Sequence, residues 1–272
     1  IINLRKSNVN FKFTIVNKKP LKLHENKFYK LLATAVIGNG DYQLNLLIDM
    51  ILASTLPDGS ISYLYYADRV NQLPLGVLGI AISTALLPVL SKYVKMKDKK
   101  KSTQALSNAL HFGLIFSIPS FIGIFILSNQ IIIFLFFRGE FSKSGVGATS
   151  SPLVSFSLGL TAFLNIKIFV FPFFAMEDTK TPLKISLFSI VINLTLNLIL
   201  IDKYQHVGLA ISTSFAAWVN AITLFAVLKS KQVKFERILF STFFKVSIAS
   251  LIMGVAINFM LNSFGRDIIN LN

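Results

Sequence analysis

Seven mainly apolar stretches, about 31–56, 60–90, 105–127, 152–175, 183–201, 207–228 and 238–262, follow one another with only short polar breaks. About 20 such residues in an α-helix cross a hydrocarbon core ~30 Å thick. Inside that core every backbone N–H and C=O must find a partner within the chain, which helices do residue by residue. The expectation is an all-α polytopic membrane protein with about seven transmembrane helices. Composition agrees: 53% of the 272 residues are hydrophobic and only 14% are charged, where soluble domains carry about a quarter.

The formal charge of +15 invites a nucleic-acid reading, but the basic residues fall in short loops between apolar runs. Segment 1–30 holds eight Lys and Arg, 91–104 six, 176–184 two and 229–237 four. The alternate breaks hold none at 57–59, two at 128–151, one at 202–206 and one after 262. Cytoplasmic loops carry the excess of Lys and Arg, so the N-terminal loop is expected in the cytoplasm and the C-terminal end outside. No nucleic-acid partner is expected. With no cysteine, disulfides and Cys-ligated metals are excluded. The chain opens Ile1-Ile2-Asn3 without a signal-peptide pattern, which reads as part of a longer protein. The expected organisation is a basic cytoplasmic loop at 1–30, a six-helix lobe at 31–228, and a linker with one further helix at 229–272. Residues 129–137 are too short to span and read as an interfacial or re-entrant helix.

Asp68 and Arg69 stand together inside the second apolar stretch. Charges at bilayer depth are costly unless they face protein or a water-filled cavity, so they mark a functional-site hypothesis. Tyr65, Arg69, Gln72, Gly76 and Ser83 recur at helical spacing and share one face. An arginine in a hydrated cavity suits phosphate, because its planar fork donates two parallel hydrogen bonds. Asp68 points about 100° away and can meet a neighbouring helix instead; the alternative is an Asp–Arg pair that only locks helices together. Lys167 is deep enough to line the same cavity, whereas Lys245, near a helix end, snorkels.

A second group comprises Asp49, Asn193, Asn197 and Thr213. One carboxylate with amide and hydroxyl oxygens suits a hard monovalent cation such as sodium near the membrane midplane; the alternative is polar glue between helices. Pro74, Pro88, Pro119 and Pro172 interrupt or end helices, as in transporters whose helices bend around a site. The sequence shows no phosphate-binding glycine loop, acidic metal cluster or nucleophile motif, and no enzyme is expected.

The run from Tyr65-Tyr-Ala-Asp-Arg-Val-Asn-Gln-Leu-Pro-Leu-Gly-Val-Leu-Gly79 through Ser91, together with Asp178-Thr-Lys-Thr-Pro-Leu-Lys184 and His206-Val-Gly-Leu-Ala-Ile-Ser-Thr213, resembles the MurJ/MviN lipid II flippases of the MOP exporter superfamily. The resemblance implies the second lobe of a two-lobe MOP/MATE-like transporter, plus one extra helix, in the bacterial inner membrane. Its implied partners are lipid II, membrane lipids and a first lobe absent from this chain. It implies lipid II export for cell-wall synthesis by alternating access, with Arg69 on the pyrophosphate–sugar head group. It also implies a sodium site at Asp49, Asn193, Asn197, Thr213 and the Leu209 carbonyl, with sodium as coupling ion. Asn197 stands where that pattern leads one to expect a second carboxylate. Rival readings are another MOP exporter, moving a drug or a polyprenyl-linked oligosaccharide, and a non-transporting membrane scaffold of cell-wall assembly. An integral enzyme of lipid-linked sugar metabolism would need carboxylate pairs that the chain lacks.

Overall fold

The computed structural model describes residues 41–231, 233 and 238–269. The basic loop expected at 1–30 and the start of the first span lie outside these residues. Six helices run through the described residues: α1 (Asp41–Ala53), α2 (Ser60–Lys95), α3 (Lys99–Phe136), α4 (Lys143–Ala175), α5 (Lys180–Ser230) and α6 (Ile238–Ile269). By length and composition α3, α4, α5 and α6 can each cross a membrane, and α2 does so as a bent pair.

Helix α5 is two spans in one. Its 51 residues are broken at Gln205 (φ 49°, ψ −134°), so residues 180–204 and 206–230 form two arms, matching the two stretches expected on either side of 202–206. Past the break, the arms approach closely. A Cβ on Gly208 would lie 2.8 Å from the Leu200 carbonyl oxygen, a distance only glycine avoids.

One expectation fails. Residues 129–137 are not a separate short element: α3 continues unbroken to Phe136. Ser128 and Ile132 face the core while Asn129 and Gln130 are exposed, so the polar break falls on an outward face of the same helix. At 1.5 Å per residue α3 spans about 57 Å, nearly twice the hydrocarbon core.

The prolines lie within helices rather than ending them. In α2 the segments Ser60–Gly79 and Thr84–Lys95 meet at 43°. Pro88 lies within the second segment, one turn past the bend, so its ring crowds the Thr84 carbonyl inside that segment; at the bend itself the Thr84 hydroxyl donates back to the Ala81 carbonyl at 3.1 Å.

Helix α4 is the axis of the bundle, packing on α2, α3 and α5. Leu153, Leu160, Leu164, Ile168 and Phe173 are fully buried along it. Small residues let backbones approach where lipid removes the hydrophobic drive for helix association. Gly159 of α4 lies against Ser214 of α5, where a Cβ would meet the Ser214 Oγ at 2.9 Å and its Cα at 3.0 Å. The Ser214 hydroxyl donates to the Ser155 carbonyl (2.6 Å) and the Trp218 indole N–H to the Leu158 carbonyl (2.9 Å). Among the described residues helix α6 packs on α3 alone, with Thr242 and His111 hydrogen-bonded at 2.8 Å and Phe240, Phe244, Ile252 and Phe259 exposed.

Among the described residues the basic breaks gather at one end of the bundle. Lys97, Lys99 and Lys100 of the α2–α3 turn line one cavity with Met176 and Lys231. There Asp178 caps the start of α5 through Thr181 and accepts a 2.7 Å hydrogen bond from Lys231. Burial alone would raise the Asp178 carboxyl; the bonds from Lys231 and Thr181 hold it below its ordinary value. At the opposite end Tyr63 stacks near His206 (5.7 Å), which bonds the Ala148 carbonyl at 2.9 Å. Among the described residues the alternation of loop charges is therefore a separation in space.

Candidate functional site

Helix α2 presents opposite faces to opposite environments. Leu64, Ala67, Asp68, Asn71 and Leu75 turn inward, and Asp68 and Asn71 are 0% exposed. Tyr65, Arg69, Leu73 and Val77 turn outward. Neighbours in sequence, Asp68 and Arg69 are thus divided by the helix.

Gln72 joins them again. Its amide N–H donates to the Asp68 carboxylate, while its amide oxygen accepts from the Arg69 guanidinium at 3.4 Å. The guanidinium lies 4.7 Å over the Tyr65 ring, a cation–π contact that braces the cation without consuming its donors. Arg69 is held in place, and among the described residues most of its five N–H groups stay free for a ligand.

Further along the same face a Cβ built on Gly76 meets nothing within 4 Å, whereas one on Gly79 would lie 2.9 Å from Lys167 Nζ. Lys167, from α4, crosses onto α2 just before the bend. Arg69 and Gly79 are ten residues apart, or about 15 Å along the axis. The result is a track with a cation near each end and Gln72, Leu73, Gly76 and Val77 between, the leucine and valine exposed. Beyond the bend, α2 and α3 enclose a groove of about 560 Å³ lined by Ile82, Leu86, Val89, Phe112 and Phe116, with Lys101 also at its wall.

The second expected group also comes together. Asp49 of α1 is 3% exposed, and Asn193 and Asn197 are 0% exposed. Asp49 accepts from the Asn197 amide at 2.7 Å and from the Thr213 hydroxyl at 2.6 Å. Asn193 donates to Thr213 Oγ1 (3.0 Å), and the Asn197 nitrogen also donates to Asn193 Oδ1 (3.1 Å). Leu209 is buried one turn before Thr213. These residues converge, and in the arrangement seen the Asn197 nitrogen, a donor, lies between Asp49 Oδ1 and Asn193 Oδ1, two oxygens that a cation would have to share.

A family model for the lipid II flippase MurJ matches residues 1–269. The chain belongs to the MurJ family. It is 41% identical over 225 residues to "Probable lipid II flippase MurJ" of Rickettsia prowazekii, covering 79% of this chain and 44% of that protein. The counterpart from Haemophilus influenzae is 39% identical over 238 residues, covering 85% and 46%. The chain spans about half the length of the curated relatives it matches. A solved structure of the lipid II flippase MurJ in an inward closed conformation aligns with a TM-score of 0.73 at 32% identity, over 95% of this chain and 52% of that one. An outward-facing MATE-family transporter of the MOP superfamily aligns with a TM-score of 0.65 at 17% identity, over 87% and 55%, a likeness of fold alone. The chain is thus one lobe of a MOP-type membrane transporter fold with one helix added, in a family of transporters.

Within this MurJ-family lobe, one inward residue escaped the sequence reading. Asn71 is fully buried with neither amide atom hydrogen-bonded among the described residues. Its signal was present, because it lies three residues after Asp68 and so shares the inward face.

Proposed function

We propose that the chain forms one lobe of a lipid II flippase and supplies one wall of the polar cavity through which the head group passes. The observation that carries this reading is the Arg69 guanidinium, exposed on an apolar helix and braced by Tyr65 and Gln72. A free guanidinium fork matches the paired oxygens of a pyrophosphate. Lys167 adds a second positive charge further down the track, suited to a head group longer than a single phosphate. Asp68, inward and bonded to Gln72, orients the amide that steadies Arg69.

In this reading the α2–α3 groove receives part of the polyprenyl tail, whose apolar chain gains nothing from the charged track. A first lobe supplies the opposite wall, and rocking of the two lobes switches access between the faces of the membrane. The basic end of the bundle lies in the cytoplasm and the membrane is the bacterial inner membrane. No covalent bond is made or broken.

The test uses the full-length protein in cells that depend on it. The measured quantity is the fraction of lipid II open to a membrane-impermeant reagent added outside. Arg69→Ala is expected to lower that fraction at least tenfold, since a charged hydrogen bond is worth about 1.5–3 kcal/mol, while Arg69→Lys keeps part of it. Normal export by Arg69→Ala would sink the head-group role.

A further inference from the structure

Asp49 is held by donors from both arms of α5. Asn197, on the first arm, donates at 2.7 Å to one carboxylate oxygen, and Thr213, on the second, donates at 2.6 Å to the other. The Asn197 nitrogen also reaches Asn193 Oδ1 at 3.1 Å. An amide nitrogen thus bridges the oxygens that a sodium ion would need to share.

The direction of that amide is informative. With its nitrogen toward Asp49, Asn197 leaves its own oxygen buried without a hydrogen-bond partner among the described residues. Such an orphan costs about 1–3 kcal/mol, so the cluster accepts a penalty in order to give the carboxylate its second donor. A bound cation would reverse the preference: the amide would turn its oxygen to the metal, and the orphan would become a ligand. Asp68 on α2 is the other carboxylate whose charge acts on Asp49, and it is itself engaged by Gln72.

We propose that in this chain the Asn197 amide nitrogen takes the place of a bound cation, making the Asp49 cluster a metal-free clasp that joins α1 to both arms of α5. The clasp matters because α1 packs mainly on α5 and only slightly on α2. It ties α1 across the Gln205 break, so the two arms hold their angle without an ion. Sodium then neither stabilises this protein nor drives it through this site.

The experiment uses the purified full-length protein in lipid nanodiscs. Equilibrium binding of radioactive sodium is measured alongside the unfolding midpoint in NaCl and in KCl at equal ionic strength. The wild type is expected to show no saturable sodium binding and the same midpoint in both salts. Asn197→Asp, which exchanges the donor for a carboxylate oxygen, is expected to gain saturable binding and a sodium-specific rise on the order of 5 °C. Saturable binding by the wild type that Asp49→Asn abolishes would overturn the proposal. So would an Asn197→Asp protein that folds and still ignores sodium. If that variant fails to fold, the wild-type binding measurement decides alone. The clasp does not involve Arg69, so neither result bears on the head-group reading.

Discussion

Arg69 on α2 is exposed beside the bundle, whereas Asp49 on α1 is 3% exposed and accepts hydrogen bonds from both arms of α5. Both are charged side chains in apolar helices, where each carries a cost. The clasp meets that cost by closing on itself, with each of the two carboxylate oxygens accepting a donor. The Arg69 track meets it only in part: Tyr65 and Gln72 steady the guanidinium, and most of its donors stay open. A saturated polar group holds helices together, and an open one invites a ligand. The same contrast divides Asp68 from Arg69 one residue away.

The contrast breaks first where the clasp is cut. Asp49→Leu strands the Thr213 hydroxyl and removes one of the two partners of the Asn197 nitrogen, so a loss of about 2–3 kcal/mol in stability is expected, read as a lower unfolding midpoint in nanodiscs. A packing control should come close behind. Gly159→Leu drives a side chain into Ser214 and Phe163, at about 1–3 kcal/mol, read the same way, with no specific effect on ligand binding. On the open track the order of effects reverses. Lys167→Met should leave the midpoint near the wild-type value while weakening binding of a polyprenyl-pyrophosphate lipid a few-fold, and raised salt should shrink that difference.

The smallest effect belongs to Asp178 and Lys231 at the basic end. Their side chains are 23% and 37% exposed, so Asp178→Asn should cost only a few tenths of a kcal/mol. Because the carboxyl is held below its ordinary value, its contribution is present above pH ~4, the usual aspartate range, and disappears as pH falls through the lowered folded value. Unfolding midpoints of wild type and Asp178→Asn should therefore differ slightly at pH 7 and converge in acid.

Much of this was legible in the sequence because it rests on periodicity and charge. Apolar runs of spanning length named the helices, and the alternation of loop lysines anticipated the two ends at which Lys97–Lys100 with Lys231, and Tyr63 with His206, gather. Helical spacing put Tyr65, Arg69 and Gln72 on one face. What escaped depends on three-dimensional context. The Ser128-Asn129-Gln130 step looked like a helix end, but Asn129 and Gln130 point outward and Ser128 inward from a helix that continues. The bend of α2 lies between Gly79 and Thr84, a turn before Pro88, in a stretch with no proline of its own. The sense of the Asn197 amide could not be read from composition, since an amide offers a donor and an acceptor on one carbon and only its neighbours choose between them.

The central claim is that Arg69 is an open anion-binding group and not a structural one. Its most direct test is the affinity of the full-length protein, in nanodiscs, for a polyprenyl-pyrophosphate lipid, compared between wild type and Arg69→Ala. The account predicts a loss of at least tenfold with the unfolding midpoint unchanged. Equal affinity, or a fall in midpoint large enough to explain the loss, would contradict it.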